Sequence, residues 1–345
     1  MRLLICISLS LFFAVSAGYG QEKNYTVVFY NLENFFDTVN DQNVLDDEFT
    51  PEGPKKWNEA KYNKKLANIE KVFFSIASEN KSFPTIIGVS EIENRKVLED
   101  IASTPKLLPA NYQIVHYDSP ERRGVDVALF YRPDQFEYEW SDPIKPIIPE
   151  FQDFRTRDIL AVCGRIEGEL FCFFVNHWSS RWGGAEASSF LRCGAAQTVR
   201  DYTDSLLQVY PDIKFAIMGD MNDDPIDESL YEVLGAKETP AKAKETGFFN
   251  PFYKMLKDGY GSLAYHDAWN IFDNIVINTN LLNGGEGKLK IKKGKSGKYY
   301  GNIFKRKFMI QQEGQYKNYP LRTYVGNDFQ GGYSDHFPVY ILIGK

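Results

Sequence analysis

The sequence predicts an α/β fold in which antiparallel or mixed sheets carry helices on their outer faces. Three observations point there. Short apolar, β-branched runs alternate with stretches of helical periodicity. Hairpin-length links such as "GRIEGE" sit beside long crossovers, a mixture that a strictly parallel sheet does not produce. No solenoid-type repeat runs through the chain. The 345 residues are 43% hydrophobic and 15% aromatic, enough for a large core, and a large α/β unit absorbs that length as one domain.

Taken in order, the chain opens with "MRLLICISLSLFFAVSAGYGQ". Arg2 supplies a short basic region, Leu3 to Val15 an apolar stretch, and Val15-Ser16-Ala17 a small-residue cleavage pattern. The stretch is too short to span a bilayer comfortably, and no later run is long and apolar enough. Residues 1–20 therefore read as a signal peptide of an exported protein, periplasmic or secreted, and 21–345 as a single domain. Strands are expected at 25–31, 85–91, 112–117, 126–132, 159–166, 170–177, 214–220, 273–278 and 337–343. Leu66, Ile69, Phe73 and Ile76 recur at helical spacing, which predicts an amphipathic helix over 59–79. A second helix over 186–208 would use Phe190, Leu191, Ala195, Thr198 and Val199 as its face. A third is expected to begin after Asp227.

Without the leader, three cysteines remain: Cys163, Cys172 and Cys193. A hairpin turning at Glu167-Gly168 sets Cys163 opposite Cys172, either as a disulfide or as two buried thiols on paired strands. No pair has the spacing of a zinc site. The formal net charge is -6, which argues against salt-driven, non-specific nucleic-acid binding but admits an enzyme that touches phosphates briefly. One basic run breaks the acidic balance, from Lys288 to Lys307. It reads either as an edge strand guarded by lysines or as a patch for a polyanion.

Polar groups recur at the ends of the apolar runs. Asn31, Glu91, His177 and Asp220 stand at C-terminal ends, with Glu33 and Asn222 two residues beyond Asn31 and Asp220. In "FDNIVI" and "SDHFPVYILI" the order is reversed, so that Asp273, Asp335 and His336 precede their strands. If those last two strands run antiparallel to the others, all of these groups meet at one edge. Glu91, Asp220 and Asp335 offer hard oxygens and Asn31 and Asn222 neutral amides, a set suited to Mg²⁺, with Mn²⁺ or Ca²⁺ as alternatives, rather than to zinc. His177 and His336 can exchange protons near neutral pH. A cation beside such groups describes phosphoester hydrolysis. Each piece has a plainer meaning alone: "GDMNDDP" an Asx-rich turn, Glu91 a helix cap, His177 a core histidine. Their joint placement at strand ends favours a site. His116 and His266 lack that setting and read as structural or exposed.

The motifs "NLEN", "GVSEIEN", "RRGVDVALFY", "VNHW", "GDMND", "FDNIVI" and "SDHFPV", in this order from about Thr26 to Ile343, resemble those of the endonuclease/exonuclease/phosphatase superfamily. The resemblance implies a deoxyribonuclease-I-like, four-layered αββα sandwich with two mixed sheets. It implies that Asn31 and Glu91 hold the metal, Asp335 supports it or orients His336, Asp220 and Asn222 position water and phosphate, and His177 contacts the phosphate or protonates the leaving oxygen. Asp273 and His336 would form a second acid/base pair. Glu33 stands where many relatives carry Asp. Arg123, Arg157, Ser180, Arg181 and Arg322 are expected to bind substrate, and Trp178 and Trp182 to stack or pack. The expected substrate is a phosphoester, first of all nucleic acid cut as a phosphodiester. The alternatives are a phosphatase or phospholipid or inositol-phosphate phosphoesterase of the same fold, and a non-catalytic cation-binding module.

Overall fold

A computed structural model of the chain describes residues 23–149, 151 and 153–345; the expected leader at 1–20 lies outside the described residues. The first half runs β1 (Tyr25–Phe35), α1 (Glu59–Asn80), β2 (Ile86–Ile92), α2 (Arg95–Ala102), β3 (Gln113–His116), β4 (Asp126–Tyr131), β5 (Glu137–Ile144), β6 (Ile159–Ile166) and β7 (Glu169–His177). The second half begins with α3 (Ser189–Val209), β8 (Lys214–Asp220), β9 (Ala236–Lys237), α4 (Pro240–Thr246), β10 (Phe248–Phe249) and α5 (Tyr253–Lys257). It continues through β11 (Leu263–Tyr265), β12 (Ala268–Asn270), β13 (Asp273–Asn278), α6 (Thr279–Asn283), β14 (Lys290–Lys292), β15 (Gly301–Ile303), β16 (Tyr324–Val325), β17 (Asp328–Phe329) and β18 (Val339–Gly344).

Two mixed seven-stranded sheets carry the fold. One has the order β14-β18-β1-β2-β4-β3, with β15 also on β18; the other runs β5-β6-β7-β8-β13-β10-β9. Side chains alternate between sheet faces with period two, and along the central strands successive side chains enter different cores. Val27 and Phe29 of β1 share a core with Phe171, Phe173 and Val175 of β7 and Met218 of β8, between the sheets. Val28 and Tyr30 point the other way, onto Ile69, Val72, Phe73 and Ile76 of α1. Cys172 and Phe174 of β7 meet Ala195, Ala196 and Val199 of α3. Three apolar interfaces thus separate four layers, helices outside and sheets inside. At Gly88 of β2 the sheets pack tightly: a Cβ there would lie 2.5 Å from the Met218 sulfur.

The structure departs from the expected elements where the apolar signal is weak. β5 was not anticipated; its residues are half-buried or exposed, and Pro143 sits within it, tolerable because β5 is an edge strand. α2 is only eight residues long, capped by Asn94, with Val97, Leu98 and Ile101 buried. The third helix is a π-helical turn over Ser229–Val233. On α3, Phe190 is exposed, and Arg192 takes the buried place because its Nε pairs with Asp223 at 2.7 Å. The hairpin between β6 and β7 turns at Glu167-Gly168, both with positive φ (50° and 79°), as a tight two-residue turn requires. Cys163 and Cys172 face each other across it and form a disulfide. Lys290 and Lys292 flank the buried Ile291 on edge strand β14, which pairs with the far end of β18, Lys290 opposite Gly344.

Candidate active site

Strand direction brings the polar ends together. β1 runs parallel to β2 and antiparallel to β18, so Asn31, Glu91 and the approach to β18 share one edge. β7 is parallel and β13 antiparallel to β8, which places His177 and Asp273 on either side of Asp220 in register. The two edges then meet. Asn31 Nδ2 donates to Asp220 Oδ2 at 2.9 Å and lies 3.3 Å from Glu91 Oε1. His177 Nε2 is 3.6 Å from Glu91 Oε1 and 3.7 Å from Asp220 Oδ2. His336 Nε2 is 3.8 Å from the same Asp220 oxygen, and its Nδ1 bonds Asp273 Oδ2 at 2.8 Å.

The backbone is bent to present these groups. Glu91 and Asn222 have φ of 59° and 50°, left-handed conformations that bulky residues avoid. Such strain persists where the surroundings hold it and is common at functional sites. Asn34 N–H holds Glu91 Oε2 at 2.8 Å, and Asn222 N–H holds Asp220 Oδ1 at 3.0 Å. Asn222 Nδ2 itself donates to the Trp178 carbonyl at 3.0 Å. Ser334, one residue before the "DH" pair, ties β1 to the approach of β18: its hydroxyl donates to the Asn31 carbonyl at 2.7 Å and accepts the His336 N–H at 3.1 Å.

Burial sets the charges. It pushes the Asp220 carboxyl up to about 6, against the pull of His336. Burial, then the Arg157 and Arg123 charges, hold the His177 imidazole well below its ordinary range. For His336 burial opposes the charged form, but Asp273 and Asp220 outweigh it and keep the imidazolium well above the usual histidine range. Two histidines in one site are therefore driven apart, one neutral and one charged. Buried His177 Nδ1 and Asp273 Oδ1 have no hydrogen-bond partner among the described residues.

Glu91, His177 and Asp220 offer ligand atoms within 4.8 Å of one another. Two carboxylates and a neutral imidazole fit a divalent cation. Asn31 turns its NH2 toward the carboxylates, while its oxygen accepts the Glu33 N–H at 2.9 Å. Asp335 stands apart from this trio, 2.5 Å from Arg322 Nη2 and 3.9 Å from His336 Nε2.

The residues expected to bind substrate are placed as follows. Arg157 is buried and donates to the His177 and Trp178 carbonyls, at 3.1 and 2.7 Å, so it braces the turn after β7. Arg181 holds the Asn222 carbonyl at 2.8 Å and pairs with Asp227. Arg123 is exposed and pairs with Glu121, yet its charge reaches His177. Ser180 is exposed on the loop after β7, Trp182 is exposed and Trp178 is core. Arg322 lines the rim with Asp335. Glu33 is buried; its carboxylate accepts the Thr323 N–H at 2.6 Å, and burial, then Asp335, push it up to about 7. Lys65 was not foreseen: its Nζ reaches the Glu33 carbonyl at 2.6 Å and Thr323 Oγ1 at 2.7 Å. The available signal was a lysine four residues before Ile69, on the apolar stripe of α1. The His116 side chain packs against Asp126 at 3.1 Å, and His266 lies on an open turn.

Comparison with known proteins agrees with this fold. Residues 26–345 match the model of the Endonuclease/Exonuclease/phosphatase family, and the chain belongs to that family of phosphoester-hydrolysing enzymes. Truncated TDP2 from Caenorhabditis elegans shares the fold at a TM-score of 0.54 and 16% identity, over 93% of this chain and 98% of that one. TDP2 from D. rerio, complexed with a single strand DNA product, matches at 0.54 and 12% over 94% and 100%. A mannosyl-6-phosphatase from Bacteroides thetaiotaomicron matches at 0.53 and 15% over 93% and 100%. No curated protein matches the chain by sequence.

Proposed function

We propose that the protein is an exported, divalent-metal-dependent phosphoesterase acting on compact phosphate esters. The observation that carries it is the meeting of Glu91, His177, Asp220 and His336 within 4 Å contacts where the edges of the two sheets come together. A divalent cation, Mg²⁺ or Mn²⁺, held by Glu91 with His177 and Asp220 in reach, would neutralise phosphate charge and the departing oxygen. Asp220, held at both oxygens by Asn31 and Asn222 and ionised at neutral pH, takes the proton of the attacking water. His336, charged through Asp273, donates from Nε2 to a phosphate oxygen, and neutral His177 adds a second polar contact. Water adds to phosphorus as the P–O bond to the alcohol breaks; the alcohol leaves with a proton taken up from solvent, while the proton held by Asp220 returns to solvent. The cross-strand disulfide supports an oxidising compartment and so export.

Nucleic acid is the second reading, favoured by the D. rerio TDP2 structure that holds a single strand DNA product. Against it, the first lysines of the basic run, Lys290 and Lys292, pair with the end of β18 remote from His336, and only its later part, with Lys305 over the Phe337 ring, comes near. Several of its charges are already used: Lys298 on Asp258 and Arg306 on Glu79. The test is a substrate panel of plasmid DNA, RNA, sphingomyelin, inositol phosphates and small phosphomonoesters, with Mg²⁺ or a chelator. Phosphate release from small esters that stops on chelation is expected. His336→Ala or Asp220→Ala should each lower turnover by about a hundredfold or more. Turnover that survives chelation, or a mild loss in both variants, overturns the reading; plasmid nicking at a higher kcat/KM selects the second.

A further inference from the structure

Beside the catalytic edge the structure builds a cleft that the phosphate chemistry does not use. β11 and β12 are joined by His266 and Asp267, both with positive φ (47° and 62°), a two-residue hairpin turn. Facing it is the loop 311–319, closed at its base by pairing of Ile310 with Pro320. Tyr319 ties the two together: its hydroxyl donates to Asp267 Oδ1 and accepts the Asp267 N–H, each at 2.6 Å. Between these hairpins lies an open cleft of about 610 Å³ that runs to Arg322 and Asp335. That volume is ordinary for a small-molecule site.

The lining has a definite chemistry. Tyr265 and Tyr316 are 68% and 38% exposed, one from each hairpin. Gln311 and Gln330 add side-chain amides, and Glu313 and Asp328 add carboxylates. Among the described residues Arg322 is the only Lys or Arg in the lining, and it is paired with Asp335 at 2.5 Å. An anionic strand would meet uncompensated negative charge here. A neutral ring rich in hydroxyls would not. Its hydroxyls can donate to the carboxylates and exchange hydrogen bonds with the amides, while its C–H faces pack on the tyrosine rings.

We infer that this cleft binds the sugar of a phosphorylated carbohydrate, with the ester phosphate at the Asp335–His336 rim. The inference rests on the phosphoesterase reading for its reaction but has its own binding readout. With Mg²⁺ present, kcat/KM would be measured for hexose 6-phosphates, glycerol 3-phosphate and AMP. Hexose 6-phosphates should exceed the other two by about tenfold or more. Tyr316→Ala, and independently the exposed Gln330→Ala, should each cut the hexose-to-glycerol ratio about tenfold, through KM. Binding of methyl hexosides, followed by saturation-transfer NMR, should be seen for the wild type and weakened in both variants. An unmoved ratio, a preference for AMP, or no hexoside binding by a protein that hydrolyses glycerol 3-phosphate overturns the sugar site and leaves the phosphoesterase standing. Hexoside binding without turnover of any ester overturns the phosphoesterase and leaves the sugar site standing.

Discussion

Asp273 decides the charge of His336. The imidazole is almost wholly buried, which disfavours the cation, yet the 2.8 Å bond to Asp273 and the Asp220 carboxylate reverse that preference. In metal-free protein the His336 ring should therefore stay protonated above the ordinary histidine range. Asp273→Asn should lower its titration, followed by the ring proton shifts in NMR; an unmoved titration would remove Asp273 from that role. Asp224 shows the opposite case away from the metal trio. It accepts the Ile271 N–H at 2.7 Å, and burial pushes its carboxyl up to about 6. The folded protein binds this proton more tightly than the unfolded chain, so its stabilising contribution is present below about pH 4 and is lost as pH rises through 6. Asp224→Asn should thus gain stability relative to the wild type between pH 4 and 7, read from urea melts. The polar identities at the site were legible in the sequence, because each stands beside an apolar run. The commitments of Arg157 and Arg181 were not, since an arginine looks the same whether it faces solvent or a carbonyl.

At the scale of elements, period and caps carry most of the information. The strands from β1 to β18 with continuous apolar runs were readable to within a few residues, because a strand buried on both faces has no polar register to confuse. β5 escaped because an edge strand buries little and tolerates proline. α2 escaped because eight residues give barely two turns of pattern, and its start depends on one cap. The Asn94 side chain accepts the Val97 N–H at 3.1 Å and also donates to Asp37 at 3.0 Å. Asn94→Ala should cost about 1 kcal/mol in denaturant melts. A neutral result would mean that packing of Val97, Leu98 and Ile101 alone holds the helix. The third helix shows the limit of a polar start signal: the chain after Asp227 makes only a π-helical turn before Leu234 is buried.

At the scale of the molecule, one hairpin is locked covalently. Cys163 and Cys172 are nine residues apart and completely buried, so the disulfide both closes a short loop and fills the α3 side of the sheet. Reduction under mild denaturant should lower stability by about 2–3 kcal/mol. Protein that is equally stable with and without reductant would show that the bridge adds nothing to folding. The sequence by itself determined the alternation of strands and helices, the identities of the chemical groups and their positions at strand ends. These are local properties, set by period and residue type. Only the tertiary structure decided that two sheets stack so that Asn31 reaches Asp220, that Lys65 supports Glu33 from a helix, and that Lys290 and Lys292 pair with the end of β18 remote from His336. Those depend on strand order and sheet packing, and contacts between residues distant in the sequence leave no local trace in the chain.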